Sequence, residues 1–326
     1  MENERAGRSR KYHLALIDEA AFTKPNMLKI WQTAIKPSLL DYKGSCIVAS
    51  TPNGVSDENF FYQICNDPDH GFTVYHAPTH TNPHLPKDEL YKLERENHPM
   101  VFKQEYLAQF VDWGGAAFFD IGKMMVNGAP IPYPSRCDAV YAVIDTAVKG
   151  GKEHDGTAVI YISTNIYNPS QPSLTILDWD VVQIDGALLE TWLPTVFQRL
   201  DDLATQVGAK MGVTGVFIED ASAGSILLQQ GYSRGWNVHA IDNKLLMQGK
   251  DQRAISVSGH YYQEKIKLSQ YAYDKTVSFK GIVRNHLLTQ ISGFRIGDKQ
   301  ASSRADDLLD TFVYSIAIGV GDSDGF

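Results

Sequence analysis

The chain has 326 residues, of which 43% are hydrophobic and 21% are charged, and its formal net charge is −8 at pH 7. This length suffices for two domains and a sizeable core. The acidic balance argues against a protein that coats nucleic acid by bulk attraction, but it leaves room for a local basic groove beside an acidic centre. No stretch approaches the run of about 18 apolar residues that a membrane helix needs.

The N-terminus and the cysteines indicate a cytosol-like compartment. The first ten residues, MENERAGRSR, are polar and lack the apolar segment of a secretory signal. The three cysteines, Cys46, Cys65 and Cys137, are far apart and show no zinc-like spacing. We therefore expect reduced thiols and no membrane partner.

Two short apolar strands are predicted in the first part of the chain. The first, near residues 13–18, runs directly into Asp18 and Glu19. The second is the segment GSCIVAS at residues 44–50, and the sequence Thr-Pro-Asn-Gly ends it.

Helices are predicted after both strands, the first near residues 25–35. Pro86 suits a helix start, and apolar residues then recur at helical spacing, which predicts one helix from Lys87 to about Gln109. The next residues are rich in Gly and Pro with little periodicity, so a linker is predicted there. The expected organisation is a first domain over residues 1–112, a linker over 113–137 and a second domain over 138–326.

The second domain is predicted to contain a mixed sheet flanked by helices. Three apolar segments in series, 139–144, 157–163 and SLTILDWDVVQI, predict an antiparallel meander. The elements predicted after it are helices near 186–207 and 224–231, a strand at 215–220 and a closing helix at 304–319. This order predicts an α/β fold.

Acidic residues lie where predicted elements of the second domain begin or end. They are Asp145 and the pair Glu219 and Asp220 at strand ends, Asp306 and Asp307 at the start of the last helix, and Asp310 one turn along its same face. Converging carboxylates repel one another unless cations lie between them, and oxygen ligands favour Mg²⁺ or Mn²⁺. Two such ions can activate water against a phosphodiester. Each position alone is more typical of a helix cap or a turn, but together they predict a metal-dependent nuclease.

A basic stretch runs from Lys244 to Arg284, with eight basic against three acidic residues and four interleaved tyrosines. Such a stretch can hold a DNA duplex by its phosphates without reading its sequence. The candidate contacts are Lys244, Lys250, Arg253, Lys265 and Lys267. A solvated helix face with core tyrosines explains the same pattern equally well.

The order of these motifs resembles the large terminase subunits of tailed bacteriophages. The segments that carry the resemblance are LALIDEAAF, SCIVASTPNG, YAVIDTAV, VFIEDASAGSILLQQ and RADDLLDTF, spread over essentially the whole chain. That family joins a DNA-translocating ATPase to a nuclease with an RNase H-like fold. The resemblance implies an incomplete P-loop-type ATPase segment followed by an RNase H-like nuclease domain.

The resemblance also implies roles for residues of the first domain. Asp18 is similar to the Walker B magnesium ligand, and Glu19 is similar to the carboxylate that polarises the attacking water. Ser50 and Thr51 lie in a segment similar to the motif that couples hydrolysis to movement.

In the second domain the resemblance implies a set of metal ligands. Asp145 matches the first ligand, and either Glu219 or Asp220 matches the second. The third matches Asp307, with Asp306 as its rival, Asp310 as a possible accessory and Asp155 as a further acidic position near the first ligand. Adjacent strand residues point to opposite faces, so we expect only one of Glu219 and Asp220 to be a direct ligand.

The sequence departs from the family in its phosphate-binding loop. It contains no GxxxxGK[ST] motif, and too few residues precede Lys11 for the strand and loop that would carry one. We therefore expect the trailing part of a terminase, whose leading part is a separate polypeptide or has been lost or trimmed. This chain alone is not expected to hydrolyse ATP.

The leading hypothesis is an endonuclease that cleaves double-stranded DNA with two Mg²⁺ or Mn²⁺ ions during genome packaging. The resemblance implies a phage or prophage protein in the cytoplasm of the bacterial host, with a portal protein and a small terminase subunit as partners. The alternative is a non-catalytic subunit that completes a split motor with a chain bearing the phosphate loop, in which case ATP becomes a cofactor. Another RNase H-like enzyme, such as a transposase or junction resolvase, fits the first domain poorly.

Overall fold

The chain divides into two compact units, Met1–Gly114 and Gly115–Phe326. The computed structural model describes residues 10–24, 26–114, 117–146, 156–168, 170–184, 189–220, 223–298 and 305–320. Within these ranges, no helix has the length and apolar character that crossing a membrane requires.

The first unit contains a two-stranded parallel sheet and short helices. Strand β1 (Leu14–Ile17) pairs with β2 (Ser45–Val48), with Leu14 opposite Ser45. The helices are α1 (Met27–Ile30), α2 (Lys36–Leu39), α3 (Phe60–Asn66), α4 (Lys87–Glu96) and α5 (Pro99–Glu105). A π-helical turn at Trp31–Ile35 connects α1 to α2.

The core of this unit lies under one face of the sheet. Trp31, Phe60 and Ile64 are buried members of that core. The strand residues packed against it are Ala15, Ile17, Cys46 and Val48. On the opposite face Leu16 and Ile47 are 69% and 56% exposed. Parallel sheets generally have both faces covered, so the described part of this unit leaves an apolar face open.

The helix predicted from Lys87 to Gln109 is interrupted, and the prediction of one continuous helix is wrong. Helix α4 ends at Glu96, and Asn97 and His98 have extended backbones before α5 begins at Pro99. Proline cannot donate a helical hydrogen bond, and it disfavours the helical conformation of the residue before it. The apolar periodicity continued across this break, which is why the sequence pattern did not reveal it.

The second unit is built on a six-stranded mixed sheet in the order β7-β6-β3-β4-β5-β8. The strands are β3 (Ala139–Asp145), β4 (Thr157–Thr164), β5 (Leu174–Val182), β6 (Val213–Ile218), β7 (Val238–Ala240) and β8 (Ile266–Leu268). Strands β3, β4 and β5 form the predicted antiparallel meander. Strand β6 joins β3 in parallel, and β7 and β8 extend the two edges in parallel.

Helices cover both faces of this sheet. They are α6 (Leu189–Gln206), α7 (Ala223–Ser233), α8 (Asn243–Leu246), α9 (Lys250–Tyr262), α10 (Gln270–Asp274), α11 (His286–Gly293) and α12 (Asp307–Val320). A small antiparallel hairpin, β9 (Val277–Phe279) and β10 (Ile282–Arg284), precedes α11. The mixed α/β architecture predicted for this region is confirmed.

Side chains along β3 alternate between the two faces of the sheet, and different helices pack on each face. Val140, Ala142 and Ile144 pack in a core cluster with residues of α6 and α7. On the other face, the Tyr141 hydroxyl donates a 2.6 Å hydrogen bond to the Ser315 carbonyl of α12. Because side chains alternate along a strand, Asp145 shares the face of Tyr141 and points toward the α12 side.

The segment after Gly114 is packed rather than exposed. Phe118, Phe119 and Met124 are 5%, 1% and 0% exposed. The Phe119 ring packs edge-on against Phe312 of α12, with 5.4 Å between ring centroids. Residues in the predicted linker therefore contribute to the core of the second unit.

Candidate functional site

Asp145 and Glu219 meet at one edge of the central sheet. Asp145 is the last residue of β3, and Glu219 directly follows β6. The two strands are parallel with Ile144 opposite Ile218, and the Glu219 N–H donates a 3.2 Å hydrogen bond to the Ile144 carbonyl. Parallel strands end at the same edge, so their next side chains come together.

The carboxyl group of Asp145 lies among other carboxyl groups. Burial raises its pKa well above the usual range, and nearby Glu219, Asp310 and Asp307 raise it further. Like charges this close disfavour the state in which all of these groups are ionised.

Asp307 reaches this edge from the start of α12. Its side chain is buried, and Oδ2 accepts a 2.9 Å hydrogen bond from the N–H of Gly156. Gly156 immediately precedes β4, where Ala158 pairs with Asp145. The main chain before β4 therefore holds Asp307 beside the end of β3.

Two basic side chains of α9 hold the other carboxylates of this region. Lys250 Nζ contacts Asp306 and lies 3.1 Å from Asp310 Oδ2, while Arg253 Nη2 lies 2.8 Å from Asp310 Oδ1. Burial alone would lower the pKa of Lys250 and of Arg253, but Asp310 beside them raises both above their usual values. Asp306 and Asp310 are therefore charge-compensated.

Asp220 faces away from this group. It is exposed, and its Oδ1 accepts a 2.6 Å hydrogen bond from the Ser225 hydroxyl. At Gly224, a Cβ atom would collide with the carbonyl oxygen of Glu219. A glycine there lets the first turn of α7 close tightly on the end of β6, which helps to fix Glu219 at the sheet edge.

The donor set of this edge suits a hard cation. Asp145, Glu219 and Asp307 offer only oxygen atoms, which favour Mg²⁺ or Mn²⁺. Within the described residues, no three His, Cys, Asp or Glu side chains are arranged as a ready metal site. Asp155 lies outside the described residues.

The five predicted DNA contacts fall in different places. Asp145, Glu219 and Asp307, with the neighbouring Asp306 and Asp310, form what is called the acidic edge below. Lys250 and Arg253 lie beside this acidic edge, whereas Lys244 is exposed on α8. Lys265 Nζ lies 3.2 Å from His260 Nδ1.

Lys267 is buried in β8. Its ammonium group donates to the carbonyls of Lys123 and Met125 and to the Glu264 carboxylate, at 2.8–2.9 Å. An ammonium group has three donors. All three are used within the fold, so this placement gives no support to the predicted phosphate contact by Lys267.

The predicted ATPase residues of the first unit gather at the end of its parallel sheet. Ser50 Oγ accepts a 3.0 Å hydrogen bond from the Ala21 N–H and donates to the Thr51 carbonyl. Asp18 Oδ1 accepts from the Glu19 N–H at 3.0 Å. Glu19 has φ of 52° in the left-handed region, which costs a non-glycine residue about 1 kcal/mol or more and is often seen at functional sites.

The ion pairs that Lys250 and Arg253 of α9 form with aspartates near the start of α12 were not predicted from the sequence. The sequence predicts Lys250 and Arg253 as DNA contacts, whereas the structure pairs them with Asp306 and Asp310. The available signal was their i,i+3 spacing on a helix, which places both on one face. The two aspartates have a matching i,i+4 spacing, but they lie 56 and 57 residues further along the chain than their partners, and only the fold brings the pairs together.

Comparison with known proteins defines the fold. No family model matches the chain, and no curated protein matches it. The solved structures include the large terminase of a thermophilic bacteriophage in complex with ADP, which is 14% identical and covers 97% of this chain and 71% of its own length, with a TM-score of 0.59. The chain has the fold of a phage large terminase.

Two further structures of the large terminase from that thermophilic phage agree with this match. The complex with ATP-gamma-S is 13% identical with a TM-score of 0.60, and a third structure is 16% identical with a TM-score of 0.57. Each covers 95% of this chain and 71% of the terminase. The predicted α/β fold class is confirmed by the mixed sheet and by this match over nearly the whole chain.

Proposed function

We propose that the chain is a DNA-packaging terminase component whose second unit cleaves double-stranded DNA in the cytoplasm of a bacterial host. The observation that carries this proposal is the gathering of Asp145, Glu219 and Asp307 at one edge of the central sheet. The similarity of the chain's fold to a phage large terminase supports the same proposal.

The cluster is proposed to hold divalent cations. Mg²⁺ or Mn²⁺ bound there would activate a water molecule and stabilise the leaving oxygen of a phosphodiester. Asp145, Glu219 and Asp307 are the proposed ligands, because their carboxyl groups are mutually close and a cation would relieve their repulsion. Asp306 and Asp310 already have cationic partners, which fits a supporting role.

The residues of α9 are proposed to position the acidic edge. Arg253 and Lys250 fix Asp310 in the first turn of α12 and Asp306 just before that helix, directly beside Asp307. Both cations also place positive charge next to the proposed ligands, where a DNA phosphate would approach. The substrate class that this supports is the sugar–phosphate backbone, read without sequence preference.

The test is cleavage of supercoiled plasmid by the purified chain with Mn²⁺, Mg²⁺ or EDTA. We expect cleavage that needs metal and is lost in Asp145→Ala. The matched control is Asp201→Ala, which removes an exposed carboxylate of α6. Equal cleavage by the folded Asp145→Ala protein would contradict the site. Absence of cleavage with either metal would contradict the nuclease function.

A second candidate function concerns the first unit. The sheet of β1 and β2 leaves Leu16 and Ile47 exposed, and it presents Asp18, Glu19 and Ser50 at one end. We propose as the alternative that this unit completes a motor with a separate chain that carries the phosphate-binding loop. Portal protein and small terminase subunit would then be further partners in packaging.

Mixing experiments distinguish this alternative. ATP hydrolysis that appears only when this chain is combined with the loop-bearing chain, and that disappears in Glu19→Gln, would support it. Hydrolysis by the other chain alone at the same rate would contradict it.

A further inference from the structure

A cavity of about 430 Å³ opens in the second unit beside the start of α12. Its walls come from the β9–β10 hairpin, α11 and the first turns of α9 and α12. The volume lies within the range of about 300–1,000 Å³ that is typical of small-molecule sites. No step of the proposed cleavage reaction uses this cavity.

The charge of the cavity favours an anion. Its cationic lining residues are Lys250, Lys280, Arg284 and Arg295, against the two carboxylates Asp298 and Asp306. Asp306 is already paired with Lys250. In the described part of the chain, neither Lys280 nor Arg284 forms an ion pair with a carboxylate.

The imidazole of His286 fixes the side chain of Arg284. Buried His286 contacts the carbonyls of Val277 and Ile282 through Nε2, both at 3.0 Å. Carbonyl oxygens only accept, so Nε2 carries the proton and Nδ1 is the acceptor. Nδ1 lies 3.3 Å from Arg284 Nε, the N–H of which donates to it. The imidazole thus fixes one N–H of the guanidinium group, and the other N–H donors of Arg284 remain available to bind a phosphate.

The floor of the cavity is apolar and partly aromatic. Phe279, Phe294 and Leu309 are 5%, 6% and 3% exposed, and Ile282 forms a half-exposed rim. Rings and aliphatic side chains stack on nucleobases, whereas guanidinium and ammonium groups bind phosphates. A base and a phosphate in one ligand describe a nucleotide.

Lys250 joins this cavity to the acidic edge. It lines the cavity, and its ammonium group contacts both Asp306 and Asp310. Asp307, the proposed metal ligand, is the next residue after Asp306. A strand whose phosphate lies at the acidic edge therefore has the cavity as a neighbour.

We propose that this cavity binds one unstacked nucleotide of the DNA strand whose backbone passes the acidic edge. The proposal rests on the proposed nuclease function for its substrate. In it, Arg284 and Lys280 bind the phosphate, and Phe279, Phe294 and Ile282 contact the base. The cavity would thereby select DNA with a frayed or unpaired end.

The test measures binding without cleavage, by fluorescence anisotropy in EDTA. The probes are a blunt duplex and the same duplex with a three-nucleotide overhang at either end, and 5′-dAMP is the free competitor. We expect the overhang to improve affinity by about tenfold, which is the size of one stacked base. Lys280→Glu and Arg284→Glu should remove this advantage, and Arg284→Lys should keep most of it.

The matched control is Arg234→Glu, which makes the same charge change at an exposed site that does not line the cavity. Equal affinity for blunt and overhanging duplex in the parent protein would overturn the proposal. An overhang advantage that survives Arg284→Glu and Lys280→Glu would also overturn it. Displacement by 5′-dAMP without any overhang advantage would make the cavity a free-nucleotide site instead.

These outcomes are separate from the nuclease test. An overhang preference in a chain that never cleaves plasmid would contradict the nuclease and leave the cavity as a nucleotide site. Metal-dependent cleavage without an overhang preference would contradict the cavity assignment alone.

Discussion

The two ends of β3 place the same residue type in opposite environments. Asp138, just before the strand, accepts hydrogen bonds from the N–H groups of Ile166 and Tyr167 and pairs with Lys210 at 3.0 Å. Asp145, at the other end, is surrounded by carboxyl groups. The Tyr167 N–H and then Lys210 lower the pKa of Asp138, whereas burial and Glu219 raise the pKa of Asp145.

This difference would separate a structural carboxylate, Asp138, from the proposed metal ligand Asp145. Asp138 has donors for its charge within the fold, so its ionised form is satisfied without any ligand. Asp145 has acceptors around it, so its ionised form needs a cation from solution. Position at a strand end is shared by both residues, and the partners decide the role.

The largest expected effect concerns Glu219, the proposed second metal ligand. Glu219→Gln should reduce metal-dependent cleavage by about 100-fold or more, since losing a ligand removes several kcal/mol of transition-state stabilisation. Asp220→Asn should change the rate by no more than about threefold, because Asp220 is exposed and bonded to Ser225 instead. Plasmid cleavage rates at saturating Mn²⁺ measure both.

Glu219 and Asp220 are adjacent in the sequence, and each variant removes one negative charge. Each variant is therefore the matched control for the other. A similar loss in Asp220→Asn would show that Asp220 turns toward the metal when the ion binds. Full activity in Glu219→Gln would remove Glu219 from the proposed site.

The sequence predicts where the strands of this site end better than it predicts which of two adjacent acidic residues faces the site. Apolar strands that stop at acidic residues were visible, so Asp145 and the Glu219–Asp220 pair were predicted as candidates. The choice within the pair depends on where β6 ends and on its register with β3, which single residues do not determine. The same holds for Asp306 and Asp307, which diverge toward Lys250 and Gly156.

Short elements explain most of what the sequence did not predict. Strands β8, β9 and β10 have three residues each, too few for an alternating pattern to be recognised. The sequence pattern therefore predicts Lys267 as part of an exposed basic surface, whereas in the structure Lys267 lies buried in β8 beside carbonyl acceptors. The cavity beside α12 was missed for the same reason, because the β9–β10 hairpin forms one of its walls.

A smaller effect is expected at a third carboxylate, which extends the comparison to β5. Asp178 is 3% exposed in its side chain and pairs with Arg199 at 2.7 Å and Lys275 at 2.8 Å. Asp178→Asn should lower the free energy of unfolding by about 2–3 kcal/mol, somewhat less than for a fully buried pair because both cations are partly exposed. Urea denaturation at pH 7 measures it.

Cleavage per folded molecule should be unaffected by Asp178→Asn. Asp201→Asn on α6 is the matched control and should leave stability nearly unchanged. If Asp178→Asn abolished cleavage in folded protein, charge balance would not separate structural from functional carboxylates here.

The smallest effect compares the two ends of β3 directly by thermal unfolding in EDTA. At pH 7, Asp138→Asn should lower the Tm, because its lowered pKa shows that the folded state stabilises the ionised form. Asp145→Asn should raise the Tm, by about 2–4 °C for each kcal/mol of repulsion removed. The two shifts are therefore expected to have opposite signs.

The pH dependence follows from the two pKa directions. The stability that Asp138 contributes is present above the usual carboxyl pKa of about 4 and is lost as the pH falls through its lower folded pKa. For Asp145, stability is retained below about pH 4 and is lost as the pH rises through its raised folded pKa. Asp145→Asn should thus approach the parent Tm below about pH 4, and Asp138→Asn should approach it only below the lowered folded pKa of Asp138. A Tm decrease for Asp145→Asn at pH 7 would mean that its charge is compensated within the fold, as the charge of Asp138 is.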